Sequence, residues 1–284
     1  MKKILKKSAA ALAALTLTAA LAGCGSSASS AATSTDTAAS TAHTSGENEL
    51  EKVKANGKLV IGVEGTYPPF TYHDDNGELT GLDVELGKAL AEKLGVEVEF
   101  QEAAWDSLLI GIDTGRFDTV INSVSITDER AEKYDFSTPY AFNRTAVITK
   151  GDNDTINSLE DLKDKKTANT ISSTYAQLAE QYGADVTGVD DLNQTFELLN
   201  SGRIDATLNA EVTFYDYTKE HPDANVKIAV LTQDANEVAI PLRKGDETAT
   251  LREAINTAID ELRASGQLKD LSEKYFGTDI SSND

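Results

Sequence analysis

Arg130 ends the stretch Asn122-Ser-Val-Ser-Ile-Thr-Asp-Glu-Arg130, which places a guanidinium close behind small hydroxyl residues and suits the capture of a carboxylate. The planar guanidinium can give two parallel hydrogen bonds to a carboxylate, and Ser123, Ser125 and nearby backbone N–H groups can add donors. The pattern predicts a strand end running into a helical turn capped by Thr127. Asp128 and Glu129 then fall in its first turn, where the helix dipole favours negative charge. A surface helix start whose Arg130 pairs with Asp128 or Glu129 explains the same residues, and local chemistry leaves both readings open.

A second set of donors lies at Ser172-Ser173-Thr174, just before an expected helix, where hydroxyls stand beside unpaired backbone N–H groups. Capping alone explains it equally well, and only partnership with Arg130 across a cleft would make it a binding site. Glu64-Gly-Thr-Tyr-Pro-Pro-Phe70 holds Tyr67 and Phe70 on a loop that its two prolines stiffen. Either ring could stack on a ligand or close the core. Trp105, the only tryptophan, stands at a strand-to-helix junction, as a cleft wall or as a buried ring with its N–H satisfied.

These residues need elements that bring strand ends together. Leu59-Val-Ile-Gly-Val63 predicts a buried strand leading into the Tyr67 loop, and open α/β sheets bind ligands beyond the carboxyl ends of their strands. Thr71-Tyr72 and Leu79-Thr80 flank the turn Asp74-Asp-Asn-Gly77 as a hairpin. A helix capped by Asp83 follows, with Leu86, Leu90 and Leu94 on one face and Gly95 as its stop. A strand from Val96 to Phe100, a helix from Trp105 to Ile112 and a strand from Thr119 to Ile121 complete a βαβα rhythm.

The strand Thr145 to Thr149 and the polar loop Gly151 to Asp154 give a first candidate crossing into a second α/β series. That series has strands at Thr167 to Ile171, Val186 to Val189, Arg203 to Leu208 and Val226 to Val230. Helices start at Thr174, at the Leu192, Phe196 and Leu199 face, and at Ala210. Glu237 to Leu242 makes the return crossing. Leu251, Ile255, Ala258, Ile259 and Leu262 mark a long helix, and Leu268, Leu271 and Tyr275 a last one ending at Gly277.

The chain of 284 residues has Asp+Glu 47 against Lys+Arg 26, a formal charge of −21, which disfavours nucleic acid as a partner. Lys2, Lys3, Lys6 and Lys7 precede an apolar run from Ala9 to Ala22, a secretory signal too short for a stable span. It ends in Leu21-Ala22-Gly23-Cys24, which resembles a lipobox, so residues 1–23 are expected to be removed and Cys24 lipidated. As the only cysteine, Cys24 leaves no internal disulfide, so the fold must rest on its core. Residues 24–48 form a Ser/Ala/Thr-rich tether with a reach of roughly 25–30 Å. His43, His73 and His221 are too scattered for a metal site, and no phosphate-cradling loop or nucleophile elbow is present.

With the lipobox, Glu64 to Phe70, Gly81-Leu-Asp-Val-Glu85, Asn122 to Arg130 and Arg203-Ile-Asp-Ala-Thr-Leu208-Asn209 in this order, the chain resembles the polar amino-acid substrate-binding proteins of ABC importers, solute-binding protein family 3. The resemblance covers about Lys58 to Gly277 and leans toward the cystine-binding branch through the Tyr67 loop and Trp105. It implies a two-lobed α/β periplasmic-binding-protein fold of type II, with two crossing strands as hinge and a ligand cleft between lobes. The lobes are residues 49–144 with 239–284, and 145–238. It further implies that Arg130 and the backbone at Ser125 hold an α-carboxylate with Thr174, and that Ser123 assists near the amine. Tyr67 and Trp105 enclose the side chain and Glu64 meets its polar or cationic end, while Phe70, Asn122, Thr170 and Ser173 complete the set. The expected partners are an amino acid, L-cystine first, a permease, an ATPase and the membrane through the lipid anchor, on the extracytoplasmic face. The chain is expected to be a monomer with no cofactor, metal or catalytic residue.

One position departs from the family. After Leu208-Asn209, where an Asp usually pairs with the α-ammonium, this chain has Ala210. An ammonium enclosed without a counter-charge is costly, so Glu64 or Glu211 must serve, or the ligand is an amine-free carboxylate. Cyclohexadienyl dehydratases, enzymes similar in fold that share the carboxylate-binding Arg, are the alternative from another class.

Overall fold

The computed structural model describes residues 48–283. The expected signal, Cys24 and nearly all of the tether lie outside the described residues. The chain folds as two α/β lobes.

In chain order, the first lobe opens with α1 (Glu49–Asn56), β1 (Lys58–Val63), β2 (Thr66–Tyr67), β3 (Thr71–His73), β4 (Leu79–Thr80) and α2 (Leu82–Leu94). It continues with β5 (Glu97–Glu102), α3 (Trp105–Asp113), β6 (Thr119–Val120), α4 (Asp128–Lys133) and β7 (Tyr134–Phe136). A long strand β8 (Ala141–Lys150) leads to β9 (Lys166–Asn169), α5 (Thr174–Gln181), β10 (Asp185–Gly188), α6 (Leu192–Asn200), β11 (Ala206–Ala210) and α7 (Glu211–Glu220). The chain returns through β12 (Val226–Val238) to β13 (Pro241–Arg243), α8 (Ala249–Ala264) and α9 (Gln267–Phe276).

The first lobe carries the parallel sheet β5-β1-β6, and the second the five-stranded sheet β10-β9-β11-β8-β12. Helices pack their apolar stripes on both. Leu86 and Leu90 of α2 and Leu251, Ile255 and Ile259 of α8 meet Leu59, Ile61 and Val63 in one fully buried cluster. Side chains of this kind stabilise by about 1.5–3 kcal/mol each when buried, so the core, with no disulfide possible, carries the lobe. In the second lobe, Phe196 and Leu199 of α6 pack with Ala146 and Ile148 of β8.

Strands β8 and β12 pair antiparallel along their length, with bulges between Ile228 and Val230 and between Leu231 and Ala235. Their Ala141 and Val238 ends belong to the first lobe's core, while Ile148 and Ile228 belong to the second's. The crossing is therefore earlier in β8 than the Gly151–Asp154 loop, which instead turns at the far end, where Gly151 N–H donates to Asn225 O at 2.8 Å.

Two local readings need correction. Helix α1 was not anticipated: Asn48 Oδ1 accepts from Leu50 N–H at 3.0 Å, and Gly57 closes the helix in the left-handed region at φ 69°. Asp83 does not cap α2. The first N–H groups of that helix are taken by the carbonyls of Pro69 and Phe70, Leu82 N at 3.1 Å and Asp83 N at 3.0 Å, and Gly81 stands at the N-cap with φ 123°. A Cβ at Gly81 would collide with the Phe70 carbonyl, so the residue must be glycine for the loop to cap the helix. The Asp83 side chain is thereby left for another task.

Candidate functional site

Thr127 caps α4 as the spacing predicts, its Oγ1 accepting from Arg130 N–H at 3.2 Å. The surface reading of Arg130 is overturned, because Glu129 pairs with Lys133 at 2.9 Å and Arg130 turns inward to 8% exposure. Its Nη1 donates to Ser125 O at 2.9 Å, its Nη2 donates to Ser172 O of the other lobe at 3.2 Å, and its guanidinium carbon lies 5.5 Å from the centroid of the Trp105 ring. Burial lowers its pKa, yet a guanidinium stays charged. Among the described residues it has no carboxylate in contact, so it is a desolvated cation suited to an incoming anion.

The segment carrying Ser123 and Ser125 is shaped from behind. Ser123 is a non-glycine residue at φ 50°, and its N–H donates to Asp83 Oδ2 at 2.6 Å. Tyr140 Oη donates to the other Asp83 oxygen at 2.8 Å. Asp83 is fully buried, and burial pushes its pKa up to about 7 against these two bonds. Asn122 is also buried and faces backwards: its Oδ1 accepts from Glu64 N–H and from Thr71 Oγ1, both at 2.8 Å, and its Nδ2 donates to Glu64 Oε2 at 3.4 Å. Asn122 therefore positions Glu64 and does not line the cleft itself.

Between the lobes lies a cavity of about 530 Å³ of empty space, counting its opening to solvent. From the first lobe it is lined by Glu64, Tyr67, Trp105, Ser123, Ser125 and Arg130. The second lobe brings Thr170, Ser173 and Thr174, as expected, together with Asn169, Tyr175, Asp191, Leu192, Thr195 and Asn209, which sequence reasoning missed. The missed residues sit at carboxyl ends of β9 and β11 and in the first turns of α5 and α6, where a ligand is expected in an open α/β sheet. Asp191 caps α6, its Oδ1 accepting from Gln194 N–H at 3.0 Å, so its sequence signal is that of an ordinary cap.

Hydrogen bonds across the cleft hold the lobes together. Tyr67 Oη donates to Asn209 Oδ1 at 2.8 Å, and Ser172 N–H donates to Asp106 Oδ1 at 3.2 Å, an oxygen that also accepts from the Ser172 hydroxyl. Ser173 caps α5, its Oγ accepting from Ala176 N–H at 3.1 Å, as the capping reading of the hydroxyl cluster has it, and Ser173 and Thr174 also line the cavity. Trp105 Nε1 and Asn169 Oδ1 are buried polar atoms with no hydrogen-bond partner among the described residues.

Besides Asn122, two expected residues lie elsewhere. Phe70 has no exposed surface and stacks on Tyr67 with centroids 5.1 Å apart, packing against Phe276 behind the site. Glu211 points out along α7 to Arg144, oxygen to nitrogen 2.8 Å, and accepts from Tyr215 Oη at 3.2 Å. It therefore cannot replace the acid absent at Ala210, which is itself buried with its N–H donating to Asn209 Oδ1 at 2.8 Å. Glu64 remains, with its carboxyl pushed up to about 7 by burial first, and further by Asp191 and Asp106. Hydrogen bonds from Thr66 and Asn122 oppose that rise.

The model of the bacterial extracellular solute-binding proteins, family 3, matches residues 59–278. The L-cystine-binding protein TcyA of Bacillus subtilis (strain 168) is 41% identical over 230 residues, covering 81% of this chain and 85% of that protein. An ancestral arginine-binding protein bound to arginine superposes with a TM-score of 0.73 at 40% identity, covering 78% of this chain and 99% of the other. The L-cystine solute receptor of Neisseria gonorrhoeae, unliganded and open, gives a TM-score of 0.57 at 41% identity, covering 83% and 99%. At nearly equal identity the ligand-bound structure fits better, in keeping with the bonds that join the lobes here.

Proposed function

Because the chain belongs to the bacterial extracellular solute-binding proteins of family 3, we propose that it is the receptor of an ABC importer, closing its lobes on a polar amino acid and presenting it to the permease. L-Cystine is the leading ligand, supported by the L-cystine-binding relative. On this reading residues 49–144 with 239–284 form one lobe and 145–238 the other, and β8 and β12 are the hinge. A lipid at Cys24 holds the monomer on the extracytoplasmic face of the membrane.

The observation that carries the reading is Arg130, buried without a carboxylate partner and aimed across the cleft at the start of α5. Its guanidinium and the Ser173 and Thr174 end of α5 would share the α-carboxylate, where backbone N–H groups and the helix dipole favour an anion. Trp105 stacks over the same guanidinium and walls the ligand. The carboxylates of Glu64 and Asp191 in the cavity favour a ligand that carries an amine over an amine-free acid. The first test is thermal unfolding with L-cystine, L-cysteine and the other amino acids. Ligand at a hundred times its dissociation constant adds about 2.7 kcal/mol, a shift on the order of 5–10 °C for a chain of this size. No shift with any amino acid would remove the proposal, and formation of an aromatic product from prephenate or arogenate would put the dehydratase in its place.

A further inference from the structure

Asn143 lies near the start of β8, where that strand passes from one lobe to the other. Ala141, just before it, packs in the first lobe's core, and Ala146, just after it, packs in the second's. Its register partner on β12 is Asn236, which stands between Val238 of the first core and Leu231 near the second. The bulge between Leu231 and Ala235 interrupts the ladder beside this pair.

The two facing amides are treated differently. Asn236 Nδ2 donates to Asn143 O at 3.2 Å and to Thr145 Oγ1 at 3.0 Å. Asn143 is 3% exposed, and its side-chain Oδ1 and Nδ2 are both shut off from solvent with no hydrogen-bond partner among the described residues. A buried amide left unpaired at both ends bears the full loss of its hydration.

Asn143 borders a hollow of about 1130 Å³ of empty space, counting its opening to solvent, which shares no residue with the ligand cavity. Its walls come from both lobes: Glu211 and Val212 at the start of α7, and Thr278 and Asp279 just after α9. The segment after α9 is tied to the hinge, with Phe142 N–H donating to Ile280 O at 2.7 Å, and Ile280 packs against both cores. A turn at the hinge that opens the cavity therefore changes the spacing of these walls around Asn143. The form in which its amide is unpaired is the one with bonds across the cleft, from Tyr67 to Asn209 and from Ser172 to Asp106.

Resting on the receptor reading, we propose that Asn143 is a hinge residue whose unpaired amide weighs against the closed form alone and so sets the balance between open and closed lobes. In the open form the amide gains solvent or the polar groups of the hollow, Thr278 and Asp279 among them. The receptor then stays open until a ligand closes it, and its apparent affinity is reduced by the fraction of chains that are competent to bind.

The test compares the protein with three variants at this position. Asn143→Leu keeps the branching of the side chain without its polar atoms, Asn143→Ala removes them in a smaller volume, and Asn143→Asp makes burial costlier. L-Cystine and L-arginine are titrated calorimetrically, and small-angle X-ray scattering gives the radius of gyration of each protein with and without them. The two apolar variants should bind the parent's ligand at least about threefold more tightly, and Asn143→Asp at least about threefold more weakly. Without ligand the apolar variants should be more compact than the parent, and with saturating ligand all should share one radius.

Affinity in the apolar variants equal to or below that of a parent that binds, with no change in the ligand-free radius, overturns the hinge role and leaves the receptor reading intact. A merely structural amide would move the unfolding temperature alone. If the parent binds neither amino acid while the apolar variants are more compact, the hinge role stands and the receptor reading fails for these ligands. No binding and no change in radius removes both.

Discussion

Arg130 and Asp191 face the same cavity from opposite lobes, and they are built differently. Arg130 is a buried cation that leans on neutral groups, two carbonyls and an indole ring, so its charge is unspent. Asp191 is a half-buried acid that already caps a helix and shares its surroundings with another acid, Glu64. The first arrangement waits for an anion of fixed geometry. The second favours whatever cation relieves the crowding of two carboxylates, which on the proposed function is the ligand's amine.

The largest effect is expected at the cationic end. Truncating one partner of a buried charge pair costs about 2–5 kcal/mol, so Arg130→Ala should weaken ligand binding at least about 30-fold in calorimetric titration. Asp191→Asn should come next, at about tenfold, for ligands that carry an amine. Equal losses for amino acids and for amine-free acids would erase the distinction between the two ends.

A pH series sharpens the comparison, because the cationic end does not titrate in the accessible range and the acidic end does. The buried carboxyls of Glu64 and Asp83 stand at about 7 in the folded chain, against ordinary values of 4.5 and 3.8. The folded protein therefore holds more protons than the unfolded chain between those limits. The contribution of these two groups to the stability of the ligand-free protein is full below the ordinary carboxylate range and is lost as pH rises toward about 7. Ligand affinity should run the other way, since a cation needs Glu64 ionised, and rise several-fold between about pH 5.5 and pH 7.5. Thermal unfolding and titration over the same series measure both slopes, and affinity that is flat or falls with pH would contradict the assignment of Glu64.

Asp83→Asn should have a smaller effect. Its amide can still accept from Ser123 N–H and face the Tyr140 hydroxyl, so affinity should drop only a few-fold while the pH slope of unfolding becomes shallower. Glu211→Gln should change affinity least, below about twofold, because its pair with Arg144 lies outside the cleft and half-exposed pairs contribute about 0–1 kcal/mol.

The same contrast separates what could be read from the sequence. The Thr127 cap and the alternation of strands and helices follow from local patterns, and the structure keeps them with shifts of a few residues, whereas the inward turn of Arg130 is one of two local readings that the sequence leaves open. Strand β11 is one such shift, starting at Ala206 where the pattern suggested Arg203. Asp83, Asn169 and Asp191 were hidden because each has a local reading that suffices, as a cap or as a polar strand end. Their surroundings depend on residues far along the chain: Ser123 for Asp83, Leu208 for Asn169, and for Asp191 the first-lobe residues that line the same cavity. Glu211 misled for the reverse reason. Its place beside Ala210 suggested a replacement acid, but the turn into α7 sends it to Arg144 on the outer surface.

The proposed function requires Arg130 to receive the carboxylate of an amino acid between the lobes. Calorimetric titration of L-cystine into the protein and into Arg130→Ala, at one pH and ionic strength, tests this most directly. One site per chain is expected in the parent protein, with a dissociation constant at least about 30-fold larger in the variant. A folded variant that binds L-cystine as the parent does would contradict it.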